Sequence, residues 1–216
     1  ALGIKTTHLC REVAMESLKA KTELLNPDPI QDDISVYDHE RGEFDRLTLD
    51  HIYSYVKTIQ LADSVPEEIR DHFERAKNLL VYSWFVFAFA MSAQLHAYIS
   101  VELALKDKAK TKRLPLRRLL QRAVDEGWIT DGEFSALDSI RNDKLVKLAP
   151  EEWGFVPSND HESGESLEYS QMLAAAIPRL RNELAHGSFH VHDGGFQSVK
   201  LCAELINQLY DHEEKG

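Results

Sequence analysis

Cysteine, glycine and proline are all scarce in this chain, and each shortage excludes a class of fold. The 216 residues include only two cysteines, Cys10 and Cys202, too few and too far apart for the disulfide framework of a small secreted domain. Ten glycines and seven prolines are also too few for the many turns of a β-sandwich. The composition therefore favours a reduced, helix-rich protein. Because no secretory signal is visible, we expect it in the cytoplasm.

Positive charge is in deficit overall but concentrated in one segment. The chain has 25 basic and 36 acidic residues, a net charge of −11, so its surface as a whole would repel nucleic acid. Residues 106–122, called here the basic segment, hold eight basic side chains and one acidic one. This segment is either an RNA-binding patch on an acidic body or an ordinary solvated helix face. Its candidate nucleic-acid-binding residues are Lys112, Arg113, Arg117, Arg118 and Arg122.

One long uncharged run could be either a membrane-spanning helix or a helix of the protein core. Residues 79–101 contain no Asp, Glu, Lys or Arg and are long enough to span a bilayer. Polar side chains interrupt the run, however, and its flanks show no one-sided excess of Lys and Arg. A helix that is apolar on all sides also suits the centre of a helical bundle. We therefore predict a buried central helix and no membrane partner.

Helix signals cover most of the chain. The segment Ser64-Val65-Pro66-Glu67 has the pattern of a capping box, and the helix it opens is predicted to run to about Asp107 with a break near Ser92. Two stretches without periodicity are predicted to be loops, residues 30–46 and 150–165. Further helices are predicted at about 9–25, 48–61, 114–126, 131–148, 166–186 and 196–213. The expected fold is all-α, with an N-terminal helical arm over residues 1–62 and a bundle over 63–216.

The segment Arg181-Asn182-Glu183-Leu184-Ala185-His186-Gly187 is the best candidate for a functional site. On a helix, Asn182 and His186 are four residues apart and share one face. Arg181 is five residues from His186, about 7.5 Å along the axis, and its long side chain can reach a substrate held beside the imidazole. Histidine transfers protons near neutral pH, and the planar guanidinium binds phosphate oxygens. The pattern suits phosphodiester chemistry. Alternatively, Arg181 pairs with Glu183 or Glu168 on the helix surface and His186 only ends the helix.

This Arg-Asn-x-x-x-His arrangement at the end of a late helix resembles the motif of HEPN domains. Residues 97–106, which include Glu102, resemble the glutamate-bearing second helix of that fold, and residues 116–127 are similar to the helix that follows it. The resemblance covers about residues 75–213. The first 60 or so residues match no family that we can name.

The resemblance implies an HEPN-like antiparallel helical bundle that forms a homodimer, with two motifs facing each other in a shared cleft. Many HEPN domains are metal-independent endoribonucleases without cofactors, and some belong to toxin–antitoxin or defence systems. By this resemblance, Arg181 would stabilise the phosphorane, Asn182 would orient the substrate or imidazole, His186 would transfer the proton, and Glu102 would pair with Arg181. Many related domains are instead non-catalytic modules that bind a nucleotide, RNA or a protein partner. Both functions stay open.

Two other patterns are weaker. His190 and His192, with His186 and Asp193, could suggest a metal, but His-x-His without a third well-placed ligand is poor evidence for zinc. We predict no metal site and assign these histidines to a loop or to substrate contact. Arg141-Asn142 repeats the start of the motif, but no histidine follows at the required spacing.

Overall fold

The computed structural model describes residues 3–6, 17–38, 41–135, 137, 168–187 and 195–211. Most of these residues are helical, as the sequence predicts. The α-helices are α1 (Leu49–Thr58), α2 (Glu67–Tyr82), α3 (Phe89–Lys108), α4 (Leu116–Asp125), α5 (Tyr169–Ala185) and α6 (Gly195–Asp211). A small antiparallel sheet joins them, with strand order β1 (Gly3–Thr6), β2 (Ile34–Asp38) and β3 (Glu43–Arg46).

Helix α3 lies at the centre of the bundle, as predicted for the uncharged run. It packs chiefly against α2 and α6, and also contacts α4 and α5. Small side chains line its buried faces, which lets the neighbouring helices approach closely. These are Ala93, Ala97, Val101 and Ala104, all fully buried. Helix α6 is buried along most of its length, and burial raises the pKa of the Cys202 thiol on it.

The break in the predicted long helix falls earlier than Ser92. Helix α2 ends at Tyr82, residues 83–88 form turns, and α3 begins at Phe89, so the uncharged run is divided between two helices. The N-terminal region holds this connection through Asp28. Its amide donates to the Trp84 carbonyl over 2.8 Å, and its carboxylate accepts from the Phe87 amide over 3.0 Å. Across the described part of the chain, no helix is both long enough and apolar enough to span a membrane.

Three predictions for the N-terminal half were wrong. Residues 30–46 were expected to be a loop, but β2 and β3 lie there because backbone pairing with distant residues stabilises them. Of the helix predicted at 9–25, residues 17–20 and 24–25 are not helical, and 21–23 form a single 3-10 turn. Residues 9–16 lie outside the described residues. The predicted capping box is also absent, because the N-cap of α2 is Pro66 and no side chain makes a capping hydrogen bond there.

The N-terminal region and the bundle share one hydrophobic core. Ile34 and Ile52 belong to the same buried cluster as the residues of α3 and α6. Asn207 of α6 also ties this region down, because its side chain accepts from the Ala62 amide and donates to the Gln60 carbonyl. The described residues from 34 to 62 therefore pack on the bundle and help to enclose it.

Lys110 is the one described non-glycine residue with a positive φ, and it ends α3. Its amide bonds to the Asp107 carbonyl and the Thr111 amide to the Lys106 carbonyl, the pattern in which glycine normally occupies this position. At φ +49° the lysine is strained. We expect Lys110→Gly to raise the free energy of unfolding by about 0.5–1 kcal/mol, measured by urea denaturation.

The matched control is Lys108→Gly, because Lys108 lies inside the last turn of the same helix. There glycine adds flexibility and removes the contact of Lys108 with the Tyr210 ring, so the free energy of unfolding should fall by about 1 kcal/mol or more. Equal effects of the two substitutions would contradict the explanation by positive φ.

Candidate functional site

Helix α5 carries the Arg181–His186 motif, and its first turn is held by a residue distant in sequence. The two carboxylate oxygens of Asp131 accept from the amides of Tyr169 and Ser170, each over 2.8 Å. The Phe134 ring packs against Tyr169 with centroids 5.2 Å apart. From the sequence, Thr130 or Asp131 was expected to cap a helix at 131–148. Thr130 instead precedes a 3-10 turn at Asp131–Glu133 without a side-chain capping bond, and the Asp131 carboxylate caps α5. Ser135 and Leu137 are helical, and the rest of the helix predicted at 131–148 (residues 136 and 138–148) lies outside the described residues.

The motif ends its helix as predicted. The His186 amide bonds to the Asn182 carbonyl over 2.9 Å, and the Gly187 amide bonds to the Leu184 carbonyl over 3.2 Å. Gly187 has φ +80°, in the left-handed region that glycine adopts without strain. Asn182 and His186 are both exposed on the last turns of α5. The imidazole is therefore open to a ligand.

Arg181 reaches across the bundle to α3. Its Nη2 lies 3.5 Å from Oε2 of Glu102, and its Nη1 donates to the Asn182 side-chain oxygen over 3.3 Å. The two charged side chains are partly buried, with 34% of Arg181 and 17% of Glu102 exposed. Nε of Arg181 is buried and has no hydrogen-bond partner among the described residues. The pairing with Glu102 agrees with the expectation drawn from the family resemblance.

The alternative helix-surface partner for Arg181 is taken by another arginine. Arg179 lies 3.4 Å from Glu183, four residues further along α5, and both side chains are about half exposed. Arg181 instead points toward a carboxylate on a different helix. The two arginines, two residues apart, therefore have distinct surroundings, one on the solvent face and one at the contact with α3.

Lys106 is a residue of this cluster that the sequence interpretation did not assign to it. Its Nζ donates to Oε1 of Glu102 over 2.6 Å, so the carboxylate is shared between Lys106 and Arg181. Two cations against one anion leave the cluster with a net charge of +1. The four-residue spacing of Glu102 and Lys106 on one helix was the available signal, since such pairs meet on one face.

The basic segment begins in this cluster, because Lys106 is its first residue. Helix α4, which carries Arg117 and Arg118 of the segment, follows α3 along the chain and packs on both α3 and α5. The segment therefore leads from the cluster to a helix that packs on the motif helix.

Four of the five candidate nucleic-acid-binding residues are exposed, and the fifth interacts with other residues of the chain. Lys112, Arg113, Arg117 and Arg118 all have exposed side chains. Arg122 donates to Glu126 over 2.6 Å and lies over the Trp128 ring, 5.1 Å from its centroid. Its guanidinium is therefore engaged within the chain, whereas the other four are available to an anionic ligand.

Metal chemistry finds no support in the described part of the chain, where no group of three His, Cys, Asp or Glu side chains could hold an ion. His190, His192 and Asp193 lie outside the described residues, as do Arg141 and Asn142. Comparisons of the chain with protein-family models, with curated proteins and with solved structures find no match.

Proposed function

We propose that this protein is a metal-independent endoribonuclease of the HEPN type that acts as a homodimer. The observation that supports the proposal best is the cluster of Glu102, Lys106 and Arg181, because Arg181 lies on the same helix as the exposed His186, five residues before it. It places a positive charge, held by a partly buried carboxylate, on the helix that also presents a proton-transfer group. The mostly helical bundle around α3 is compatible with the proposal.

The chemistry assigned to these residues is attack by the ribose 2′-hydroxyl. A base removes the 2′ proton, O2′ forms a bond to phosphorus, and the bond from phosphorus to O5′ breaks as an acid protonates O5′. Arg181 would stabilise the charge on the phosphorane, with Glu102 and Lys106 holding its position. Asn182, exposed beside it, would orient the substrate. The products are a 2′,3′-cyclic phosphate and a 5′-hydroxyl.

This reaction needs one base and one acid, and a single motif supplies only His186. A second copy of the chain would bring the second imidazole. The exposure of His186 and Asn182 suits such an arrangement because nothing described in the same chain covers them. The exposed basic residues at the start of α4 would then hold the RNA backbone beside the dimeric site.

The decisive experiment is incubation of the pure protein with mixed single-stranded RNA in excess chelator. We expect fragments whose 5′ ends accept phosphate from polynucleotide kinase without prior phosphatase treatment. Intact RNA over a range of pH and protein concentration would refute the endoribonuclease proposal. In cells, an active enzyme would act as a toxin and would need an antitoxin partner, so expression alone should arrest growth.

A non-catalytic module is the second candidate, and the pairing of Arg181 favours it. Arg181 already forms an ion pair with Glu102 within the chain. Such a pair is what we expect of an arginine with a purely structural role. This candidate predicts RNA or nucleotide binding without cleavage. Joint replacement of Arg117 and Arg118 by alanine should then weaken RNA binding, whereas Arg41→Ala, on the β2–β3 hairpin, should leave it unchanged.

A further inference from the structure

Two histidines meet at the contact between α2 and α3, away from the candidate site. The rings of His72 on α2 and His96 on α3 have centroids 5.4 Å apart and planes inclined by 37°. Beneath them, Ser100 is fully buried, and its hydroxyl lies 2.9 Å from Nδ1 of His72. Ser100 and Glu102 are two residues apart on α3, so they point to opposite sides of that helix.

The hydrogen bonds determine where the protons sit on His72. The Ser100 hydroxyl also lies 2.9 Å from the His96 carbonyl oxygen, which can only accept, so the single hydroxyl proton is directed there. We therefore assign the serine oxygen as the acceptor from His72, which places a proton on Nδ1 of His72. In the neutral ring Nε2 is then the basic nitrogen, and any further proton must bind there.

The surroundings of His72 disfavour that further proton. The pKa of His72 lies below its usual range. Partial burial is the largest cause, and electrostatic repulsion from His96 and Arg75 adds to it. His96 is the titratable group that α3 brings against the ring, and Arg75 is the charged group from α2 itself. Helices α1 and α6 also pack on α2, but among the described residues neither brings a charge that acts on His72.

We propose that the contact of His72 with His96 and Ser100 is an acid-sensitive clasp that holds α2 against α3. In the neutral state His72 donates to the buried serine, and its ring lies against the ring of His96. A proton on His72 places a cation between Arg75 and His96 at the most extensively packed helix pair in the described chain. Acid then loosens α2 from α3, the helix that carries Glu102.

The direction of the pH effect follows from the two states. The unfolded chain binds a proton on this histidine near the ordinary pKa of about 6.5, whereas the folded chain binds it only at lower pH. The contribution of the clasp to stability is therefore complete above pH 6.5. It is lost as the pH falls through the lower pKa of the folded state.

The test uses His72→Asn, because the asparagine side chain can still donate to Ser100 but does not titrate. We expect the melting temperature of the wild-type protein to fall more between pH 7.5 and 5.5 than that of the variant. Equal falls in the two proteins would overturn the proposal. This readout does not involve RNA, so it is independent of the proposed ribonuclease activity.

A second measurement keeps the proposal testable if His72→Asn does not fold. Titration of the His72 ring protons by NMR should give a pKa below 6.5 in the wild-type protein and a higher one in Arg75→Gln. Arg179→Gln, which changes an exposed arginine on α5, should leave it unaltered. A His72 pKa at or above 6.5 in the wild-type protein would overturn the proposal.

Discussion

His186→Ala should slow RNA cleavage by about 10²–10⁴-fold, the usual contribution of a positioned acid or base. The imidazole is exposed and ends α5 through backbone bonds that alanine can also make, so the fold should be retained. Cleavage is measured with chelator present, and circular dichroism verifies the helical content. Wild-type rates in this variant would exclude His186 from the reaction.

Arg181→Ala belongs to the same experiment and should slow RNA cleavage by about 10²–10³-fold. The negative charge that develops in the transition state loses a hydrogen-bond donor in this variant. The remaining Glu102 keeps its contact with Lys106, which limits the effect on stability. Arg179→Ala is the matched control, since it removes an arginine two residues away that, among the described residues, pairs with Glu183 on the solvent face. We expect it to cleave like the wild type.

Mixed dimers would test whether two copies of the motif form one site. If wild-type and His186→Ala chains are co-expressed and assort at random, activity should fall with the square of the wild-type fraction. A site complete within one chain would instead give a linear fall. The linear result would leave a ribonuclease possible but would contradict the shared site.

Phe73→Ala should lower the free energy of unfolding by about 3–5 kcal/mol, the largest effect on stability that we expect. Phe73 is completely buried on α2 and belongs to the continuous hydrophobic core. Truncation removes apolar burial and leaves a cavity that neighbouring helices fill only in part. Because native domains are stable by only about 5–15 kcal/mol, the variant should be close to unfolding at ambient temperature.

Denaturation by urea measures this loss, and Tyr82→Ala is the control. Tyr82 is an aromatic residue at the end of the same helix, but 56% of it is exposed. Its replacement should change the free energy of unfolding by no more than about 0.5 kcal/mol. Comparable losses for the two variants would mean that Phe73 does not pack as described.

Local sequence signals were sufficient for several elements. Thr48 caps α1 by accepting from the His51 amide, and Gly127 and Gly187 end α4 and α5 in the left-handed region. Each of these interactions spans a few residues, so residue type and spacing predict it. The central position of α3 was predicted for a similar reason, since its first 13 residues belong to the uncharged run 79–101 and an apolar helix suits the centre of a bundle.

Elements that depend on distant partners could not be predicted in this way. In the strand at 34–38, buried Ile34 and Val36 alternate with the less buried Ser35 and Tyr37, a short signal that the sequence interpretation missed. The strands at 34–38 and 43–46 are stabilised by backbone pairing with residues 3–6 and with each other. The cap of α5 by Asp131 bridges 38 residues of sequence, so no capping pattern next to α5 could reveal it. The break at 83–88 likewise depends on the docking of Asp28.

For the candidate site, the sequence by itself determined the residue types, the helical spacing of Arg181, Asn182 and His186, and the glycine that ends their helix. Only the tertiary structure decided that Arg181 pairs with Glu102 while Arg179 takes Glu183, and that Lys106 joins the cluster. The physical reason is that spacing along a helix fixes which side chains share a face. Which neighbouring helix that face meets depends on how the whole core packs.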